Sequence, residues 1–159
     1  MGRKEYINRI FYSSYGKMLK NILESPRFFK HLHRINHITY PLLDFDNLPE
    51  KNEFKDREII FHYPIPAFLT MIAGNIFEIK VREITHINNS TCNIKGKIHI
   101  NTLLGEINLT ENADYINHGN STQVIINLSY ETKIPELIVT KVIDNWLKDR
   151  NKYLDEIAK

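Results

Sequence analysis

Two oppositely charged residues, Arg57 and Glu83, interrupt apolar faces of two neighbouring strand-like segments. In residues 57–63 one alternating set is Arg57, Ile59, Phe61 and Tyr63; in 76–87 one set is Phe77, Ile79, Val81 and Glu83. Paired symmetrically about their connection, Tyr63 meets Phe77, Phe61 meets Ile79, Ile59 meets Val81 and Arg57 meets Glu83. Matching of apolar faces and of opposite charges is what fixes register in an antiparallel pair. A guanidinium at the end of such a face can hold an anionic group in two parallel hydrogen bonds. The structural alternative is a cross-strand ion pair, contributing about 1 kcal/mol at most when exposed.

Other residue types offer less chemistry. In HLHRINH, His31, His33 and His37 come nearest to a metal signature, and on a helix His33 and His37 share a face. No glutamate lies between them and no third ligand follows at useful spacing, so no metal site is expected. Their charge near neutral pH would instead add to a basic surface. The one cysteine, Cys92, reads as a packed strand residue; alone, it forms no internal disulfide and argues for a reducing compartment. The scattered glycines form no phosphate-cradling loop and no nucleophile elbow. No catalytic set and no cofactor are expected.

The connection between the two charged strands is itself unusual. Strand connections are normally built from polar turn residues, yet 64–74 reads PIPAFLTMIAG, with Thr70 its one polar side chain. Pro66 can start a short helix and Gly74 can end it, leaving Phe68, Leu69, Met71 and Ile72 with scarcely any polar face. About two turns cannot persist alone and need packing or a membrane. The segment is either a cap on the core or a lid.

The elements that would position these residues follow from periodicity. Residues 5–13 alternate as a first strand. Tyr15, Met18, Leu19, Ile22 and Leu23 then follow helical spacing behind a serine cap, and Ser25-Pro26 signals a second helix carrying Phe28, Phe29, Leu32 and Ile35. From Ile38 to Ile134 the pattern is strand: a short segment at 38–45, then 57–63, 76–87, 92–101, 106–115 and 122–133, joined by polar turns. The next hairpin pairs Val81 with Ile98, Glu83 with Gly96 and Ile87 with Cys92. Residues 135–159 form a long helix opened by Pro135 and Glu136. Its stripe is Val139, Val142, Ile143, Trp146, Leu147, Tyr153, Leu154 and Ile157. One broad antiparallel sheet is the surface on which that stripe can lie.

The order of strand, two helices, antiparallel strands and long last helix resembles the START-like helix-grip superfamily. That resemblance implies an α+β fold in which a curved antiparallel sheet of about six or seven strands grips the last helix around an apolar cavity. Arg57, the run from Pro66 to Gly74, and Glu83 resemble a segment of PRELI-type lipid-transfer proteins. There the equivalent run is a mobile lid and the cargo a glycerophospholipid. The second helix at 26–35 has no counterpart in that pattern.

At 159 residues the chain is expected to be one domain, 1–159. No apolar run approaches the roughly 20 residues of a membrane span, and no secretory leader is evident at the N-terminus. Residues 1–40 carry eight basic and two acidic residues, a local excess of +6 in a chain of net charge +2. That asymmetry suits transient contact with an anionic membrane surface. Nucleic acid is the weaker reading of it, because the aromatics there follow core spacing. The function expected is binding, and intermembrane transfer, of a lipid or other apolar ligand. Arg57, Phe61, Tyr63, Phe77, Ile79, Val81, Glu83, Trp146 and Tyr153 would form the site, beneath a lid of Pro66, Phe68, Leu69, Met71, Ile72 and Gly74. The alternatives are a cyclase- or hydrolase-like cavity enzyme and a protein-interaction module. The cytoplasm is the expected compartment, with the mitochondrial intermembrane space as the alternative.

Overall fold

The computed structural model describes residues 2–24, 32–36, 44–48, 50, 53–64, 76–102 and 104–159; for 2–6, 24, 32–36, 53–64 and 76–78 the description is of the backbone. The elements in chain order are β1 (Gly2–Phe11), α1 (Tyr15–Glu24), β2 (Leu32–Asn36), β3 (Glu53–Pro64), β4 (Ile76–Ile87), β5 (Thr91–Thr102), β6 (Gly105–Asn117), β7 (Thr122–Thr132) and α2 (Glu136–Ile157). The strands form one antiparallel sheet in the order β1-β7-β6-β5-β4-β3-β2. With α2, the five strands β1 and β4–β7 build the body whose side chains are described, and β3 and β2 extend it at one edge.

The central strands alternate buried and accessible residues with period two, as a sheet covered on one face requires. Hairpin turns close on side-chain oxygens: Asn88 Oδ1 accepts from the backbone N–H groups of Ser90 and Thr91 at 2.8 and 2.9 Å. Gly119 takes φ +85° in the β6–β7 turn, a conformation that disfavours a side chain. The registers expected from face matching are those observed, Arg57 opposite Glu83 and Glu83 opposite Gly96 included.

The stretch expected as a second helix differs. Leu32–Asn36 is a strand paired with β3 through Leu32–Phe61, Arg34–Ile60, Ile35–Ile59 and Asn36–Glu58. Leu32 and Ile35 fit a helical face equally well, but β3 would otherwise present an open row of backbone donors and acceptors. Pairing satisfies them. The shared helical face proposed for His33 and His37 falls with this correction, since His33 lies on a strand. Residues 25–31 and 37–43 lie outside the described set, and Phe45, expected in a strand, is in a turn.

Helix α1 buries Tyr15, Met18, Leu19, Ile22 and Leu23, the five positions its spacing indicates. Helix α2 lies across the sheet with Val139, Ile143, Trp146, Arg150, Leu154 and Ile157 buried. One of those six is an arginine.

Candidate functional site

Reading the ladders across the sheet gives five inward-facing rows. Ile79–Ile100–Ile107 and Val81–Ile98–Leu109 are apolar. Thr85–Ile94–Ala113–Ile126 and Ile87–Cys92–Tyr115–Val124 are largely so. Between these pairs runs Glu83–Gly96–Glu111–Leu128, where two carboxylates flank a glycine. This row is the border between two separate apolar clusters. One holds Ile87, Cys92, Ile94, Ala113, Tyr115 and the α1 residues; the other holds Ile79, Val81, Ile98, Ile100, Ile107 and Leu109.

The helix repeats the division. Val139, Ile143 and Trp146 pack in the second cluster, Leu154 and Ile157 in the first, and Arg150 falls between. Its Nη2 lies 2.9 Å from Glu111 Oε1 and donates to the Tyr115 hydroxyl at 3.1 Å. Trp146 Nε1–H donates to the other carboxylate oxygen, Glu111 Oε2, at 3.0 Å. Glu111 is 8% exposed and Arg150 7%, so the pair is held out of water. The Tyr153 ring, half-buried, flanks the guanidinium at 5.9 Å.

Desolvation alone would lower the Arg150 pKa, but the Glu111 carboxylate, followed by Tyr115, Tyr153 and Glu83, pushes it the other way. The guanidinium therefore stays charged. Burial is also the main reason the Tyr115 hydroxyl is pushed up, with Arg150 acting against it. Taking an ion pair out of water costs several kcal/mol per ion, recovered only where the remaining hydrogen bonds are made. Here they are not all made. Arg150 Nε and, next along β4 from Glu83, Thr85 Oγ1 are buried without a hydrogen-bond partner among the described residues. Each such group costs about 1–3 kcal/mol.

Gly96 keeps the floor of this centre low. A Cβ built there would meet Glu83 Cγ at 3.8 Å and the Glu111 backbone carbonyl and Val81 Cγ1 at 4.0 Å, ordinary contact distances.

Of the residues singled out from sequence, Glu83 lies in the polar row, and Ile79, Val81 and Trp146 are in the packed apolar cluster beside it, each 3% exposed or less. Arg57 sits opposite Glu83, and Tyr63 opposite Phe77, in the backbone ladder with Phe61 between them on β3. The lid residues Pro66, Phe68, Leu69, Met71, Ile72 and Gly74 lie outside the described residues. Glu111, Arg150 and Tyr115 were not anticipated. Their signal was available: Glu111 occupies an inward position of a strict alternation, and Arg150 lies four residues from both Trp146 and Leu154 on the buried stripe.

Cys92 is buried in the first cluster, and burial raises its thiol pKa. Among the described residues no group of three metal-ligating side chains occurs, and no helix is long and apolar enough to cross a membrane. On the opposite face of the sheet, Lys80, Arg82, Lys97 and His99 line a hollow of about 430 Å³. Two basic residues of the N-terminal third meet the C-terminal segment: Arg9 bonds Asn151 and Asp155 of α2, and Lys17 bonds the Lys159 carbonyl beyond it.

No family model matches the chain, and none of the curated proteins is significantly similar to it. Among solved structures the chain is similar to Ara h 8.0201, with 10% identity over 98% of each chain and a TM-score of 0.55. It also aligns with TTHA0849 from Thermus thermophilus, with 12% identity over 96% of this chain and 94% of that one, at a TM-score of 0.48. The likeness to Ara h 8.0201 shows a helix-grip fold, an antiparallel sheet closed by a C-terminal helix.

Proposed function

We propose that this protein binds a lipid or other apolar ligand between the sheet and α2, and carries it between membranes. The observation that carries this reading is the polar row. A sheet and helix that served only as a packed body would gain nothing from a buried Arg150–Glu111 pair, which well-packed apolar residues of similar volume often replace without loss of stability. An apolar interior with a few convergent polar groups is what a small-molecule site requires. The helix-grip architecture suits it, since one helix can ride over one face of a sheet.

In this proposal Ile79, Val81, Trp146 and Tyr153 bound the ligand from the described side, with Phe61, Tyr63 and Phe77 on the strands beyond. Arg57 and Glu83 set the polar end of the site, and residues 64–74 gate it. The chain acts without a cofactor, in a reducing compartment, proposed to be the cytoplasm, and touches anionic membrane transiently.

Native mass spectrometry of protein purified without detergent from lipid-containing cells tests the reading. A discrete added mass that resolves to one lipid class on denaturation is expected. A bare protein mass, repeated after incubation with mixed-lipid vesicles, would overturn it. Phe68→Asp with Leu69→Asp should abolish vesicle-to-vesicle transfer while leaving the fold intact; unchanged transfer would remove the lid from the account.

A further inference from the structure

We propose a second binding site, on the face of the sheet turned away from α2, that takes a phosphomonoester group. It is separate from the interior site and does not rest on it. Three observations carry it: a hollow, a register and an unpaired lysine.

Val81, Ile98 and Leu109 are buried on the inner face, so their strand neighbours stand on the outer one. There Lys80 and Arg82 of β4, Lys97 and His99 of β5, and Asn108 and Thr110 of β6 enclose a hollow of about 430 Å³. The ladders set them in two adjacent rows, Lys80–His99–Asn108 and Arg82–Lys97–Thr110. Opposed residues are about 5 Å apart and successive rows about 7 Å, so one anion between the rows is within reach of the long basic side chains. Arg82 opposite Lys97 sets like charge against like, a pairing that destabilises a sheet. Lys97 has no hydrogen-bond or ion-pair partner among the described residues. An anion between the two relieves the repulsion and gives Lys97 a partner.

Carboxylates border the hollow without lining it. Asp56 and Glu58 face Ile84 and Arg82 from β3, on the side away from β5. Glu78 and Glu106 share the row beyond Lys80–His99, and Glu131 faces Asn108 from β7. Each acid is one row or one strand further out than the bases, so an anion in the hollow meets the bases at shorter range. His99 is engaged: Nδ1–H donates to Asn108 Oδ1 at 2.7 Å, and Nε2 lies 3.5 Å from Glu106 Oε1. The anion therefore falls to Lys80, Arg82 and Lys97. One carboxylate does not exhaust the five donors of Arg82, and Lys97 offers three more. Donors on three separate bases match the three oxygens and double charge of a phosphomonoester; a carboxylate is saturated by one guanidinium. A hollow of this size is in the range of small-molecule sites, so the phosphate is carried on a small organic body.

Nitrogen–proton correlation NMR of the full-length protein, titrated with glycerol 3-phosphate, reads the site directly. Saturable shifts are expected at the backbone amides of residues 80–82, 97–99 and 108–110, and none with glycerol. Lys97→Gln should weaken binding by about tenfold or more. It should melt at the same or a higher temperature, because it removes the repulsion with Arg82; a merely structural lysine would lower it. Lys95→Gln, on the same strand face but opposite Ile84 in the next row, should keep affinity within about twofold. Absence of saturable shifts, or equal loss in the two lysine variants, would overturn the site and leave only diffuse surface charge. Flotation with phosphatidylcholine vesicles, with and without phosphatidic acid, separates the sources of the phosphate. Capture that needs both phosphatidic acid and Lys97 upholds the site as one for a membrane headgroup. Glycerol 3-phosphate binding without vesicle capture upholds it as one for a soluble phosphomonoester. Neither variant touches the interior, so the native mass measurement of the ligand reading stands or falls separately.

Discussion

The two ends of the interior are built differently. At the end formed by the β4–β5 and β6–β7 hairpins, a second helix closes the core: α1 inserts Met18 and Leu19, both wholly buried, and Tyr15 donates to the Asn88 carbonyl at 2.7 Å. Asn21 then ties α1 to the last turn of α2 through the Ile157 carbonyl at 3.0 Å. At the other end the cluster is almost entirely aliphatic and comes from the sheet, Ile134 and the first half of α2. The first end is fastened by side-chain hydrogen bonds and a dedicated helix. The second has no such helix and is held by packing, with the Tyr130 and Thr132 hydroxyls donating to the Glu136 carboxylate and the Glu106 carbonyl at its margin, and the charged row divides the two. On the proposed reading, ligand handling belongs to the second end of the core and stability to the first.

The largest effect should come from breaking the border. Arg150→Met leaves Glu111 buried without its cation and is expected to cost about 3–5 kcal/mol in urea unfolding. Adding Glu111→Leu should recover most of that loss, because a paired apolar replacement is often neutral. Failure of the double variant to recover would mean the pair stabilises the fold outright. Next, Leu19→Ala at the fastened end should cost about 2–5 kcal/mol without changing which ligand is bound. A changed ligand preference there would erase the division of labour.

Smaller effects sharpen the contrast. Tyr115→Phe removes one hydrogen bond to Arg150 and should cost about 1.5–3 kcal/mol, the range for a bond to a charged group. Asp155→Asn loosens the exposed Arg9 contact and should cost about 0.2–1 kcal/mol, diminishing in high salt. Cys92, buried and with its thiol held protonated, should resist alkylation until the protein unfolds; rapid labelling of the native state would show that the fastened end opens.

Most of the fold was legible because its signals are local and repeated. Period-two alternation marked β4 to β7, helical spacing marked both α1 and α2, and opposed charges fixed the β3–β4 register. Residues 32–36 were misread because Leu32 and Ile35 satisfy either period, and what decides between them, a strand edge needing a partner, is far away in sequence. The polar centre was half legible. Arg57 and Glu83 drew attention by interrupting apolar faces, and the same test applied to 105–117 and 136–157 isolates Glu111 and Arg150. What no local pattern supplies is that these two meet, since the contact depends on how α2 crosses the sheet.

Trp146 is the single tryptophan and donates directly to Glu111, so it is an internal reporter at the centre. Energy transfer from Trp146 to a dansyl-labelled lipid, titrated into delipidated protein, tests the central claim most directly. The account predicts saturable transfer with a stoichiometry of one and competition by unlabelled ligand. Transfer that rises without saturation, or none while the probe still binds, would place the lipid on the surface and contradict an interior site.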